Sequence, residues 1–212
     1  RHLTLWARNK KGYENLVKLT TRAHLDGFYF KPRVDHALLA EHAEGIICGS
    51  ACLGGEVPQL VMAQKLGEAK ERAEMYQEIF GKGNYFLEWM DHDLQGQEEV
   101  NERLVDIHHQ TGIPLICSND AHYLRRTDEE MHKILVCIGT GSTLDSASLH
   151  YGPNFYLKSK EEMWEGFKHL PEAMENALRI ADMVDLELDL SSQHFPNYDV
   201  PAGHDKSSFL RQ

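Results

Sequence analysis

The chain has 212 residues, 42% of them hydrophobic, and a net charge of −11 when its 13 histidines are counted neutral. That is enough for one large domain or one domain plus a tail, and no apolar run approaches the roughly 20 residues needed to cross a bilayer. The acidic balance has the wrong sign for a surface that grips phosphates by counterion release, so any contact with DNA is expected to be local or made through neighbouring domains.

Arg1 to Ala7 reads as a strand rather than a secretory leader, and a chain that opens inside an element is expected to be a piece of a longer one. A helix follows from about Lys11 to Leu25, with Leu16, Val17, Leu19 and Ala23 at helical spacing and Gly27 as its stop. Phe28 to Arg33 reads as a loop or short strand, and Asp35 caps a helix running to Glu44. Ile46 to Ser50 is a brief buried strand that opens into the small-residue stretch Ser50-Ala51-Cys52-Leu53-Gly54-Gly55-Glu56, where backbone can approach a ligand closely.

Helices are expected over Val57 to Ala63 and Glu68 to Phe80, a strand over Tyr85 to Met90, and a helix over Gln97 to Gln110 stopped by Gly112 and Pro114. The strand Pro114 to Cys117 comes next, then a helix capped by Thr127 and running to about Ile138. The alternation of strand and helix calls for a parallel sheet or barrel. Beyond Gly139 an irregular loop leads to a short strand at Phe155 to Leu157, helices at Lys160 to Phe167 and Pro171 to Asp185, and a last strand at Leu186 to Leu190. From Ser191 the composition turns to Ser, His, Pro, Asn, Asp and Gly, which reads as a linker.

The apolar run before Cys117 empties at once into Ser118, Asn119, Asp120 and His122. Loops leaving the carboxyl ends of strands are where α/β folds gather ligands. If the pleat persists through Asp-Ala-His, Asp120 and His122 point the same way and offer one metal or phosphate an oxygen and an imidazole. The pair alone is also compatible with ordinary turn chemistry.

Four segments taken in order carry a resemblance: His2-Leu3-Thr4-Leu5-Trp6-Ala7-Arg8-Asn9 with Gly12 to Leu16, Gly49 to Glu56, Ser118 to Leu124, and Phe155 to Met163. Together they resemble the PHP domain found at the N-terminal region of bacterial DNA polymerase III alpha subunits. The resemblance implies a distorted (β/α)7 barrel whose strand ends hold up to three divalent metals, zinc or manganese. It further implies that this α/β chain is a partial barrel, truncated at its N-terminus. An HxH pair and further ligands would precede Arg1, residues 1–190 would be the C-terminal portion of the domain, and residues 191–212 a linker towards a polymerase palm. Phe195 to Pro201, with Phe209 and Leu210, resembles that passage.

Carried over position by position, His2, Cys52, Asp120 and His122 match family metal ligands. Glu88 and His92, at the exit of the Tyr85 strand, are candidates to support those ligands or touch substrate. Cys48 and Cys117 sit in buried-strand runs and Cys137 beside Leu135, Val136 and Ile138, so core packing accounts for all three, while the four widely spaced cysteines show no CxxC pair and fit a reducing, cytoplasmic compartment. His132 is read as packing or capping, and Lys10, Lys11, Arg8, Arg125 and Arg126 as a solvated face or interdomain contacts.

The resemblance implies a part of a replicative DNA polymerase whose PHP site hydrolyses phosphodiesters as a 3′→5′ exonuclease, with magnesium serving a polymerase domain that is not in this chain. Primer-template DNA, the sliding clamp and a proofreading exonuclease subunit are the implied partners, with no membrane. A non-catalytic PHP platform that docks a proofreading subunit is the first alternative, and a stand-alone PHP phosphatase the second. This fragment alone is expected to be inactive.

Overall fold

A computed structural model describes residues 1–146, 151–193 and 198–211. Among these residues the strands form one mixed sheet in the order β1 (Thr4–Ala7), β2 (Ile46–Gly49), β3 (Tyr85–Trp89), β4 (Leu115–Cys117). β2, β3 and β4 run parallel, with Cys48 opposite Tyr85 and Leu87 opposite Leu115. β1 departs from the all-parallel expectation: it runs antiparallel to β2, with Thr4 opposite Gly49 and Ala7 opposite Ile46.

The reason lies in the connection. Only Arg8 and Asn9 separate β1 from α1 (Lys10–Leu25), whose sixteen residues climb about 24 Å back along the sheet. The short helix α2 (His36–Glu41) and the turn at Gly45 then descend, so that Arg8 N–H meets the Gly45 carbonyl at 2.8 Å and β2 starts where β1 stopped. The start of β1 and the exits of β2, β3 and β4 therefore share one end of the sheet. The described residues form a mixed sheet and do not trace a closed barrel.

Helices α3 (Glu56–Met62), α4 (Leu66–Phe80) and α5 (Gln97–Thr111) fill the connections between the parallel strands. α5 ends at Gly112, whose φ of 70° is a conformation that favours glycine. One face of the sheet, through Ile46, Cys48, Tyr85, Leu87 and Leu115, packs on Leu19, Val57, Val61, Ala69, Ala73 and Leu104. Alternate residues Ile47, Phe86 and Ile116 turn to the other face and meet Ile180 of α8 (Pro171–Met183). Asn176 of α8 donates to the Leu115 carbonyl at 2.9 Å and anchors that helix to β4.

Three further expectations are corrected. Phe155 to Leu157 is not a strand: Tyr156 makes an isolated bridge to Tyr123, because this segment spends its hydrogen bonds on the loop after β4. Leu186 to Leu190 forms no strand either. Leu188 and Leu190 are exposed, and alternation without a neighbouring strand does not make one. Thr127 does not cap the next helix. Arg126–Asp128 form a 3₁₀ turn, the Asp128 carboxylate accepts the Arg125 N–H at 2.9 Å, and α6 spans Glu129–Thr140. α7 (Lys160–Phe167) is capped by Ser159, and a short helix α9 (Lys206–Leu210) lies in the stretch read as linker. Phe195 to Asn197, part of the passage read as leading to a palm, lies outside the described residues.

Candidate functional site

His2 sits just before β1 and is held by its backbone: its N–H donates to the Gly54 carbonyl at 2.9 Å, and it bridges Gly55. Cys52 lies opposite, in the turn from β2 to α3. That turn is tight because it is built from small residues. A Cβ on Gly55 would run into the Ser50 carbonyl, and one on Gly54 would approach His2 Nδ1 to 2.9 Å. Ala51 has a φ of 64°, a conformation that L residues seldom adopt. The consequence is that Cys52 Sγ comes within 3.6 Å of His2 Nδ1.

Glu88 explains how the strained Ala51 is held. Buried on β3, it accepts the Ala51 N–H at Oε1 and the Ser118 hydroxyl at Oε2, both at 2.8 Å, while its own N–H donates to Ser50 Oγ at 2.8 Å. One carboxylate thus joins the exits of β2, β3 and β4. A Cβ on Gly49 would collide with it.

On the β4 side, Asp120 Oδ1 and His122 Nε2 are 3.2 Å apart, and both side chains are about one-third exposed. β4 has already ended at Cys117, so a persisting pleat is not what brings them together. The loop is shaped from across the gap: His122 N–H donates to the Phe155 carbonyl at 2.7 Å, and Asn119 Nδ2 to the Tyr156 carbonyl at 3.0 Å. Lys158 secures the assembly, donating to the Asn154 carbonyl at 2.7 Å, Asn119 Oδ1 at 3.2 Å and the Asp91 carbonyl at 3.5 Å. Nothing in the sequence singles out Lys158, since its acceptors lie 4, 39 and 67 residues away.

Aromatic rings wall this side. The His122 ring lies 4.0 Å from Tyr151 and 5.6 Å from Phe155, and His132 packs against Tyr123 and Tyr151. His92 is 3% exposed and stacks on Phe155 at 4.4 Å, and among the described residues its buried Nε2 has no hydrogen-bond partner. Burial and the Lys158 ammonium hold the His92 imidazole below the usual histidine range, against the opposing pull of the Asp120 carboxylate. Burial pushes the Cys52 thiol up; the Gly54 backbone opposes it, and the Asp120 and Glu88 carboxylates add to it.

Two ligands of one tetrahedral zinc, a sulfur at about 2.3 Å and a nitrogen at about 2.0 Å, lie about 3.5 Å apart. The His2–Cys52 separation fits that spacing, and Asp120–His122 fits the slightly shorter oxygen–nitrogen case. Each pair thus suits two coordination positions. Among the described residues, no three His, Cys, Asp or Glu side chains converge as one metal-holding group.

Residues 1–92 match the PHP domain family. The match covers His2, Cys52, Glu88 and His92 and stops short of Asp120 and His122. Nearly the whole chain, moreover, aligns with DNA polymerase III alpha subunits, and it is consistent with the PHP domain of such a subunit. It is 43% identical over 203 residues to that of Borreliella burgdorferi, with 94% of this chain and 18% of the relative covered. The corresponding protein of Treponema pallidum is 41% identical over 209 residues, covering 98% of this chain and 18% of the relative. That of Thermus aquaticus is 37% identical over 222 residues, covering 100% and 18%. The chain therefore spans less than a fifth of the length of these relatives. Among the described residues, no helix is long and apolar enough to cross a membrane.

Proposed function

We propose that this chain is the PHP portion of a bacterial replicative DNA polymerase, with residues 1–190 in the domain and 191–212 leading towards a palm. Its strand-end pairs, His2 with Cys52 and Asp120 with His122, contribute donors to a cluster of divalent ions, and residues outside this chain supply the others. The observation that carries this reading is that both pairs have ligand spacing and flank the same buried Glu88 bridge.

Imidazole, thiolate and carboxylate are donors that zinc or manganese accept. Bound there, such ions would supply Lewis acidity for phosphodiester hydrolysis. The chain's own residues do the positioning: Glu88 fixes the Cys52 turn and Ser118 together, and Lys158 fixes the Asp120 loop. The substrate is the 3′ end of a DNA strand on a primer-template, which makes the activity a 3′→5′ exonuclease. Template-directed synthesis, with its magnesium and the sliding clamp, belongs to the rest of the polypeptide.

A specific observation favours a second reading. On α6 the side chains of Met131, Leu135 and Ile138 stand in water along one face, at the spacing of a helical stripe. A non-catalytic platform that docks a proofreading subunit would use such a face. Elemental analysis of the polypeptide at the length of its relatives separates the two. Two or three bound ions, lost in Asp120→Ala and Cys52→Ala, support the metal cluster and call for an exonuclease assay on primed DNA. A polypeptide without tightly bound metal sinks the catalytic reading and leaves the platform.

A further inference from the structure

The loop between α1 and α2 exposes three aromatic rings in succession: Phe28 at 59%, Tyr29 at 63% and Phe30 at 84%. Consecutive rings left in water are unusual on a soluble protein and mark a contact surface. The loop is also preformed. Its base is closed where the Gly27 backbone packs on the Arg33 carbonyl so tightly that a Cβ would collide with it. Its tip is a one-residue turn, in which the Tyr29 N–H donates to the Lys31 carbonyl at 3.1 Å and Phe30 stands at a φ of 60°. A bulky residue at such a φ is strained, and strain of this kind persists where presenting the side chain is useful.

Charge narrows the choice of partner. From Gly27 to Val34 there are two cations, Lys31 and Arg33, and no carboxylate, in a chain of net charge −11. The Arg33 guanidinium lies 4.6 Å over the Tyr29 ring, and Tyr29 and Phe30 meet edge to face at 4.6 Å. An apolar protein partner would bury Lys31 and Arg33 unpaired. Bases stacked on rings, with phosphates beside the cations, satisfy both kinds of group.

Position supplies the rest. His36, at the start of α2, has its Nε2 2.9 Å from Glu56 Oε2, and Glu56 directly follows Gly55, the bridge partner of His2. Three residues beyond Arg33 the chain thus touches the first residue of α3, the helix entered from the Cys52 turn. We propose that Phe28–Arg33 is a stacking platform for single-stranded DNA, set next to the strand-end site. The strand-end role rests on the hydrolytic reading above; the binding itself does not.

The test is fluorescence anisotropy of a labelled twelve-nucleotide oligo(dT) with the full 212-residue chain, in buffer containing EDTA. Phe30→Ala and Tyr29→Ala are expected to weaken binding about tenfold each, and Phe30→Trp to retain it. Lys31→Glu and Arg33→Glu are expected to weaken it and to reduce the salt slope by about 0.7 per cation removed. All four positions changed are exposed, so thermal midpoints should stay together and report intact folding. A parent chain that does not bind, or alanine variants that bind like the parent, would overturn the platform and mark the loop as a face covered by protein. Because EDTA is present throughout, binding that survives alongside an empty metal analysis would uphold the platform while the hydrolytic reading fell.

Discussion

The two sides of the candidate site are held in place by different means. His2 and Cys52 meet because backbone approaches backbone: Gly54 and Gly55 leave room, and His2 is fastened through its own N–H. Asp120 and His122 meet because side chains and carbonyls from residues 154–158 reach across to a loop that has already left its strand. A site built from close backbone fails when bulk is added. One built from reaching side chains fails when a donor is removed.

Glu88 belongs to both sides, so its loss should have the largest effect. Glu88→Ala leaves the Ala51 N–H and the Ser118 hydroxyl without their charged acceptor, at a cost of about 4 kcal/mol for two such bonds. Urea unfolding measures this, and a loss below about 1 kcal/mol would mean that the bridge does not hold the strand exits together. Gly55→Ala attacks the first side alone. Its Cβ meets the Ser50 carbonyl, with the Cys52 carbonyl at 3.1 Å and Pro58 at 3.2 Å, and overpacking against backbone costs about 3 kcal/mol.

Lys158→Met attacks the second side. It leaves the Asn154 carbonyl and Asn119 Oδ1 without their cation, a loss of about 2 kcal/mol that Lys158→Arg should partly restore. In histidine NMR spectra the His122 resonances should move while those of His2 stay. If both moved together, the two sides would be one mechanical unit and the contrast would fail.

That contrast also governs what could be read from the sequence. The small residues from Gly49 to Gly55 advertise a close turn, and the emptying of an apolar run after Cys117 advertises a strand exit; both lie where expected. Most helices were legible to within a few residues because their apolar spacing and caps are local, as with Asp35 taking the Leu38 N–H. The direction of β1 was not. It depends on α1 climbing back along the sheet, which pairing decides and local pattern does not. The strand expected at Phe155–Leu157 failed for a related reason, since its carbonyls are taken by a loop rather than an edge. The exposed rings at Phe28–Phe30 read only as a loop or short strand, because neither their exposure nor the φ of Phe30 is written in local composition.

The smallest expected effect is one of pH, and it reaches only the Cys52 side. Glu56, at the start of α3, accepts a 2.6 Å bond from the Tyr76 hydroxyl and lies 2.9 Å from His36 Nε2 and 2.8 Å from the Arg72 guanidinium. Burial pushes its carboxyl up, but the bonds from Tyr76 and His36 and the Arg72 charge outweigh that and hold it below the ordinary glutamate value of 4.5. A carboxyl whose value falls on folding stabilises the fold fully above its unfolded value, and that share is lost as pH falls through the folded one. Glu56→Gln should therefore be less stable than the parent at neutral pH. The gap should close as pH drops below about 4.5, and taking the difference cancels the other carboxylates common to both proteins. Urea midpoints for the two proteins between pH 7 and pH 3.5 give that gap directly. A gap that stays constant over the range would show that shape rather than charge at Glu56 ties α2 and α4 to the turn beneath Cys52.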